Sequence, residues 1–317
     1  MKIGQLYNLE SFKGFLDSPR RQQNFADGYA GTVLARWLTH VDPNILEKKY
    51  PELTFVNSGI QADNTGGYAR RIQTLRVREQ GSFRTAGDSS SEKGKISMAG
   101  EEKDLLVISR EAESAWSNDE VREAELQNIN LPARYVEHHN RVYQREIDEI
   151  GYLGIEQNDG LANYTGVTST SANNTVDNLT ALEQYDAIAQ LIIDQRNGVN
   201  NTPEYSANRV DMPVRVMNQL SHTILDTTAG PQTVMTALEG NFPGVSFQGS
   251  FRLDQLNPSV TIAYNNSPEV MKMRLPVPLT IGEVVRISSF KFHVESNYRI
   301  AGLDLFEDSG VRYLTGL

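Results

Sequence analysis

The hydrophobic and polar positions of the chain are organised around a stretch from Ser117 to Gly151. It opens with Ser117-Asn118-Asp119-Glu120, a capping box in which the serine and the glutamate three residues on each cover a free backbone N–H. A short helical segment with Val121, Ala124 and Leu126 follows. Asn130-Leu131-Pro132 then predicts a restart, because proline is tolerated in the first helical turn and not further inside. Val136, Tyr143, Ile147 and Ile150 fall at spacings of seven, four and three, one narrow apolar stripe on an otherwise polar helix, with Gly151 as its stop. Such a helix lies on a sheet along one face and leaves the other available.

Upstream, residues 1–24 read as an extended arm, Phe25 to Val41 as a helix and Ile45 to Tyr50 as one further turn. Gly66 to Ser97 predicts a long hairpin with too few apolar residues (Ile72, Leu75 and Val77 in its first arm) to pack on a core of its own. The run Leu105–Ile108 predicts a buried strand leading into the central helix. Downstream, Asn158 to Asn163 is a turn-rich crossing, and residues 166–178 read as exposed. Thr180-Ala181-Leu182-Glu183 is a second capping box, starting a helix with Leu182, Tyr185, Ala189 and Ile192 inward and Gly198 past its end. Strands are predicted over Pro213–Met217, Val245–Phe247 and Val260–Tyr264, and helices over Met217–Leu225 and Pro231–Leu238, together a compact α/β layer. In the last fifty residues Met271, Met273 and Leu275 alternate with Lys272 and Arg274, and Phe290, Phe292 and Val294 with Lys291, His293 and Glu295. Tyr298–Phe306 reads as a last strand interrupted by Gly302. Alternation means one buried and one exposed face, and the central helix is the candidate partner layer.

Composition narrows the function. The chain has 317 residues, 39% of them hydrophobic, enough for one large or two modest domains. A formal net charge of −10 argues against an exposed nucleic-acid reader, whose footprint is basic. There are no cysteines, which excludes disulfides, thiol nucleophiles and cysteine-based zinc sites. No apolar run approaches the roughly 18 residues of a membrane span. Met1-Lys2-Ile3-Gly4-Gln5 leads into polar sequence rather than a secretory signal, so the chain is expected to be soluble and intracellular where it is made. The Asn-x-Ser/Thr triplets at Asn163, Asn173, Asn178, Asn200 and Asn265 read as turn and cap chemistry. Phosphate-cradling and nucleophile-elbow motifs do not occur. His138 and His139, adjacent on a helix, point about 100° apart and cannot share a metal as i, i+4 histidines do; they read as a polar face or a subunit contact. The carboxylates of the central helix read as a solvated face, with an acid/base pair as the sharper alternative. No catalytic residue, cofactor or metal is expected.

Charge is divided unevenly. The hairpin carries Arg70, Arg71, Arg76, Arg78, Arg84, Lys93 and Lys95 against Glu79, Asp88 and Glu92, a net of +4. Residues 101–150 hold thirteen acidic and six basic residues, a net of −7. The hairpin is open to reading as a flexible exposed loop or a weak nucleic-acid contact. The sharper reading pairs those seven basic residues with Glu120, Glu123, Glu137, Glu146 and Glu149. Reaching its own helix, the hairpin makes a local clasp; reaching a neighbour's, it makes a heterologous contact that propagates into rings or shells. Exposed ion pairs are individually worth little, so the charges act in steering and register.

Three short stretches carry a resemblance: Tyr50-Pro51-Glu52-Leu53, Ile147 to Gly154 running into Gly160-Leu161-Ala162-Asn163, and Tyr298-Arg299-Ile300-Ala301-Gly302-Leu303. With the order arm, long hairpin, buried strand, long helix, separate α/β layer and returning strands, they resemble the major capsid proteins of tailed bacteriophages, and among them the encapsulin-like branch. That fold is named after phage Hong Kong 97 and shared by bacterial encapsulins. The likeness covers nearly the whole chain.

The resemblance implies an α+β fold in five segments. These are an N-terminal arm and helix over 1–54, an extended hairpin (the E-loop) over 55–100, a peripheral domain with a long spine helix over 101–154, an axial domain over 155–265, and returning peripheral strands over 266–317. It implies a non-enzymatic capsid protein that self-assembles as hexamers and pentamers into an icosahedral shell around double-stranded DNA, each E-loop lying across a neighbour's peripheral domain. Portal and scaffolding proteins and a cement protein are the implied partners, with DNA contacted non-specifically and no membrane. The implied location is the virion, and the host cytoplasm during assembly. With Met1 so close to the arm, a separate scaffolding protein is expected rather than a cleaved leader segment. Some relatives join subunits by a Lys–Asn isopeptide bond; Lys93 and Lys95 lie in the hairpin, but no asparagine or catalytic glutamate pairs with them by sequence, so crosslinking is not expected. The alternatives are an encapsulin-type nanocompartment with a protein cargo, and a carbohydrate-acting enzyme using paired carboxylates of the central helix.

Overall fold

The computed structural model describes residues 52–81, 96–126, 129–197, 205–227 and 230–317. The chain divides into two compact units, residues 50–122 with 130–317 and residues 1–49 with 123–129. The predicted arm, the helix over Phe25–Val41, the turn before Pro51, the hairpin tip with Arg84, Lys93 and Lys95, and Gly198 lie outside the described residues.

Strand β1 (Ala62–Asp63) precedes the predicted hairpin, β2 (Arg71–Gly81) and β3 (Ile96–Leu106). The two arms pair without a break from Arg71↔Leu106 to Gly81↔Ile96. The run Leu105–Ile108 is not a strand of its own. It is the corner between β3 and a further strand, β4 (Ile108–Ser117), with Leu105 and Val107 buried against Ala301 and Ile72. Sequence reading missed β4 because its residues do not alternate in hydrophobicity; it is held by ten consecutive pairings with β14 (Lys291–Ile300).

Helix α1 (Asn118–Leu126) starts at the expected capping box, the Ser117 N–H donating to Glu120 Oε2 at 2.8 Å and the Glu120 N–H to Ser117 Oγ at 3.1 Å. Helix α2 (Leu131–Leu153) restarts where Pro132 predicts, with the Asn130 side chain accepting from the Ala133 N–H at 3.2 Å. It does not stop at Gly151. It runs on to Leu153 and is capped by Gly154, whose φ of +80° suits glycine. Gly151 is a buried contact point: a Cβ there would run into the Phe55 ring.

Beyond the crossing lie β5 (Ser169–Ser171), α3 (Ala181–Asn197), β6 (Arg209–Pro213), α4 (Val214–His222), β7 (Ile224–Thr227), β8 (Gly230–Thr233), α5 (Val234–Asn241), β9 (Ser246–Ser250) and β10 (Val260–Tyr264). The chain continues with β11 (Met271–Arg274), β12 (Val277–Ile281), β13 (Val285–Ser288), β14, β15 (Gly302–Leu305) and β16 (Val311–Thr315). A mixed sheet has the order β5-β16-β10-β6-β9. Ile188, Ile192, Leu220, Val234 and Leu238 of α3, α4 and α5 pack with Val210, Met212, Ala263 and Leu314 of that sheet. Ile262, Tyr264, Val311 and Tyr313 point to a second core shared with Ile150, Tyr152, Met271, Ile300 and Leu303.

Three local expectations shift. The capping box of α3 forms, the Thr180 N–H reaching Glu183 Oε2 at 2.7 Å, and Ala189 and Ile192 point inward as expected, but Leu182 is exposed and Gln184, Ile188, Leu191 and Gln195 are buried with them. Pro231 does not open a helix; it sits in the β7–β8 hairpin, and α5 begins after Thr233, whose hydroxyl accepts from the Thr236 N–H at 3.2 Å. The strand expected over Pro213–Met217 ends at Pro213, and α4 begins at once.

β14 is the centre of a four-stranded sheet, with β4 along one edge and β12 and then β13 along the other. Its inward alternation is real from Val294 through Ser296 and Tyr298 to Ile300, all buried. The expected last strand Tyr298–Phe306 is two strands in two sheets: Gly302, at φ +87°, turns the chain into β15, which joins β1 and β11. Asn158 stitches this corner to the β3–β4 corner, its Nδ2 donating to Leu106 O at 2.8 Å and to Ala301 O at 2.7 Å.

Candidate assembly surfaces

The seam between α2 and its sheet is more polar than a single apolar stripe allows. Tyr143 meets Tyr298 edge-on at 4.9 Å between centroids, and Trp116 stacks on Tyr135 at 4.8 Å. Between these aromatic pairs lies His139, which is buried rather than on an outer face. Its Nδ1 is 2.6 Å from Ser296 Oγ and its Nε2 2.9 Å from Ser114 Oγ. Burial, and next the charge of His138, lower the pKa of this ring, so it is held neutral. Asp148 also departs from the solvated-face reading. It is buried, accepts from the Phe55 N–H at 2.8 Å and lies 3.5 Å from Arg252 Nε. Burial raises its pKa, and the Phe55 N–H and Arg252 oppose that rise.

The root of the hairpin is fixed to its own subunit by a second buried carboxylate. Asp304 of β15 accepts from Thr74 Oγ1 at 2.9 Å and from Arg274 Nε at 3.0 Å, and Lys103 Nζ lies 3.5 Å away. Arg274 also pairs with Asp63 on the adjacent strand β1. Lys103 sits over the Tyr164 ring at 4.3 Å, and its burial lowers the amine's pKa against the pull of Asp304. Thr74 comes from β2 and Lys103 from β3, so both arms are held.

A third buried carboxylate ties α2 to the five-stranded sheet. Asp211 Oδ2 accepts from the hydroxyls of Tyr152 and Tyr264, both at 2.7 Å, and Oδ1 from Arg209 Nε at 2.8 Å. The same guanidinium donates to Asn57 O at 3.0 Å and Thr54 O at 3.2 Å. Burial raises the Asp211 pKa; Arg209 and the two phenols counter it. Nothing in the one-dimensional pattern marks Asp148, Asp211 or Asp304, whose partners lie from two to more than two hundred positions away.

The twelve predicted contact residues fall into distinct environments. Arg70 is exposed; Arg71 is exposed and 3.8 Å from Asp104. Arg76 turns back onto its own chain, 3.6 Å from Asp308 and nearly buried. Arg78 lies in β2, while Arg84, Lys93 and Lys95 lie outside the described residues. Glu120 caps α1 and Glu123 is exposed on it. Glu137, Glu146 and Glu149 line α2, each beside an arginine of the same chain: Arg141 at 3.8 Å, Arg110 at 3.6 Å and Arg252 at 3.0 Å. Among the residues whose side chains are described, Arg70, Arg71 and Arg76 make no ion pair with Glu120, Glu123, Glu137, Glu146 or Glu149 within the chain. Among the described residues there is no cluster of three metal-ligating side chains, and no helix long and apolar enough to cross a membrane.

A family profile described as major capsid protein matches residues 85–317. Among solved structures, the capsid of Myoviridae Phage XM1 is 41% identical, with a TM-score of 0.80 over 89% of this chain and 98% of that one. The capsid of the native GTA particle is 10% identical, with a TM-score of 0.66 over 91% and 99%. Mycobacterium phage Ogopogo gives 14% and 0.60 over 90% and 98%. These last two share the fold alone. No curated protein sequence matches the chain.

Proposed function

The chain belongs to the major capsid proteins of tailed bacteriophages and has their Hong Kong 97-type α+β fold, and from that premise we propose that it works by assembly and not by catalysis. Copies form hexamers and pentamers that tile an icosahedral shell around double-stranded DNA, in the virion and, during assembly, in the host cytoplasm. The segments take the roles of arm (1–54), E-loop (55–100), peripheral domain (101–154 and 266–317) and axial domain (155–265). Portal and scaffolding proteins and a cement protein are its partners. DNA is held without sequence preference by a subunit of net charge −10 that does not grip its cargo. Many weak repeated contacts add by avidity, the basic hairpin steering toward a neighbour's acidic α2 layer.

The observation that carries this reading is the 41% identical phage capsid matching 89% of the chain. The test is particle size, by light scattering and negative-stain microscopy, for the intact chain and for one in which residues 79–98 are replaced by a glycine turn that leaves the Thr74–Asp304–Lys103 root in place. Rings, tubes or shells from the intact chain, lost in the folded variant, are the expected result. A monodisperse monomer in both, at high protein concentration, overturns it. Recovery of a protein cargo instead of DNA from particles purified from phage-producing cells would move the reading to an encapsulin-type compartment.

A further inference from the structure

The hairpin has two chemically different faces. Ile72, Thr74 and Arg76 lie opposite Leu105, Lys103 and Glu101, and this face rests on its own subunit through Asp304 and Asp308. The other face begins at the root with polar pairs, Arg71 with Asp104 and Gln73 with Glu102, the latter at 2.9 Å. Farther out it turns apolar: Leu75, Ile96 and Met98 stand 62%, 61% and 68% exposed. A two-stranded ribbon is marginal alone, and exposed apolar side chains spread along its outer face mark a contact surface.

We propose that this apolar face, and not the arginines, is the core of the hairpin's contact, and that its seat is a recess on a second copy of this chain. The proposal rests on the assembly reading above. The recess, about 180 Å³, lies beside the α2–sheet seam, lined by Val142, Tyr143, Leu279 and Tyr298 with Arg110 and Glu146 at its side. Val142 is 38% exposed. The recess is roomy enough for an unbranched side chain such as that of Met98, which adapts to irregular gaps. Glu111 and Glu113 line it and are exposed, and the hairpin segment is net basic, so charge complementarity brings the same two surfaces together. Because hairpin and recess are built from different residues of one subunit, the contact is heterologous and repeats.

The chain has no cysteine, so a Met98→Cys/Val142→Cys double variant of the full-length protein reports this contact directly. Mild oxidation and a non-reducing gel are expected to give a ladder of covalent multimers, about tenfold more than a Met98→Cys/Ile193→Cys control whose second site is on α3. Particles visible by microscopy without a ladder, or an equal ladder in the control, overturn the docking geometry while leaving assembly standing. Monomers at every concentration overturn both. In parallel, Leu75→Gln/Met98→Gln is expected to abolish assembly with an unchanged melting temperature. If that variant assembles normally and high salt alone dissolves the particles, the contact is ionic and the proposal fails.

Discussion

Replacing Asp304 by asparagine tests whether the hairpin is anchored as its root geometry requires. The carboxylate is fully buried and gathers Thr74, Lys103 and Arg274. Removing one partner of a buried pair leaves uncompensated charge and costs about 3–5 kcal/mol. Two features pull the loss to the low end. Arg274 keeps Asp63, and Lys103, whose amine pKa burial already lowers, sheds its proton more readily than an ordinary lysine. A loss of about 3 kcal/mol remains, which for a compact unit of this size is a fall of roughly 6–12 °C in melting temperature. Hydrogen exchange should quicken at the amides of Thr74 and Lys103, where the two arms meet the carboxylate, before it quickens in β10. Adding Lys103→Met removes the stranded cation and should recover part of the loss, the coupling read from a double-mutant cycle. A variant that melts within about 1 °C of the parent, with unchanged exchange at the root, would refute the anchoring argument.

Three further outcomes follow from the seams. His139 is held neutral by burial, so its folded pKa lies below the usual 6.5; the unfolded chain binds the proton first, and stability present above that value is lost as pH falls through it. The melting temperature of the parent should therefore drop more steeply below about pH 6.5 than that of His139→Asn, and parallel profiles would contradict this. Gly151→Ala places a methyl in the Phe55 ring and should cost about 1–3 kcal/mol in urea unfolding, with Phe55→Leu relieving it. Tyr264→Phe removes one of three donors to Asp211 and should shift the urea midpoint by about 1.5 kcal/mol of stability at unchanged slope.

What was legible in the sequence was local. The two capping boxes and the Asn130–Pro132 restart involve atoms within three residues of each other, and all three formed. The hairpin was legible from its poverty in apolar residues, and β14 from its alternation. β4 was not, because one of its faces meets a polar seam and the other meets solvent, so its stability comes from a ladder to residues more than 170 positions away. Gly151 reads as a stop in the sequence because a helical glycine is ambiguous until the ring packed against it is known, and Phe55 lies far upstream. The charge contrast of hairpin and helix was countable, but not which charges already have partners. Arg76, Glu146 and Glu149 are each beside an opposite charge of their own subunit, whereas the exposed face of Leu75, Ile96 and Met98 was hidden by their scarcity.

The three buried carboxylates occupy corresponding positions in the architecture. Asp148 joins α2 to Phe55 and Arg252, Asp211 joins α2 to β10 and to residues 54–57 through Arg209, and Asp304 joins the hairpin to β11 and β1 through Arg274. Each therefore sits where pieces that read as separate segments meet. Apolar packing would give comparable stability at such places, but a carboxylate with two or three fixed donors also sets the angle between the elements, since hydrogen bonds weaken steeply when misaligned. A tile repeated many times needs its angles fixed more than it needs extra stability, because an error in the pitch of one hairpin is copied at every contact. The polar junctions within the subunit and the apolar outer face of the hairpin thus divide the work: charge fixes the shape of the tile, and hydrophobic burial joins one tile to the next.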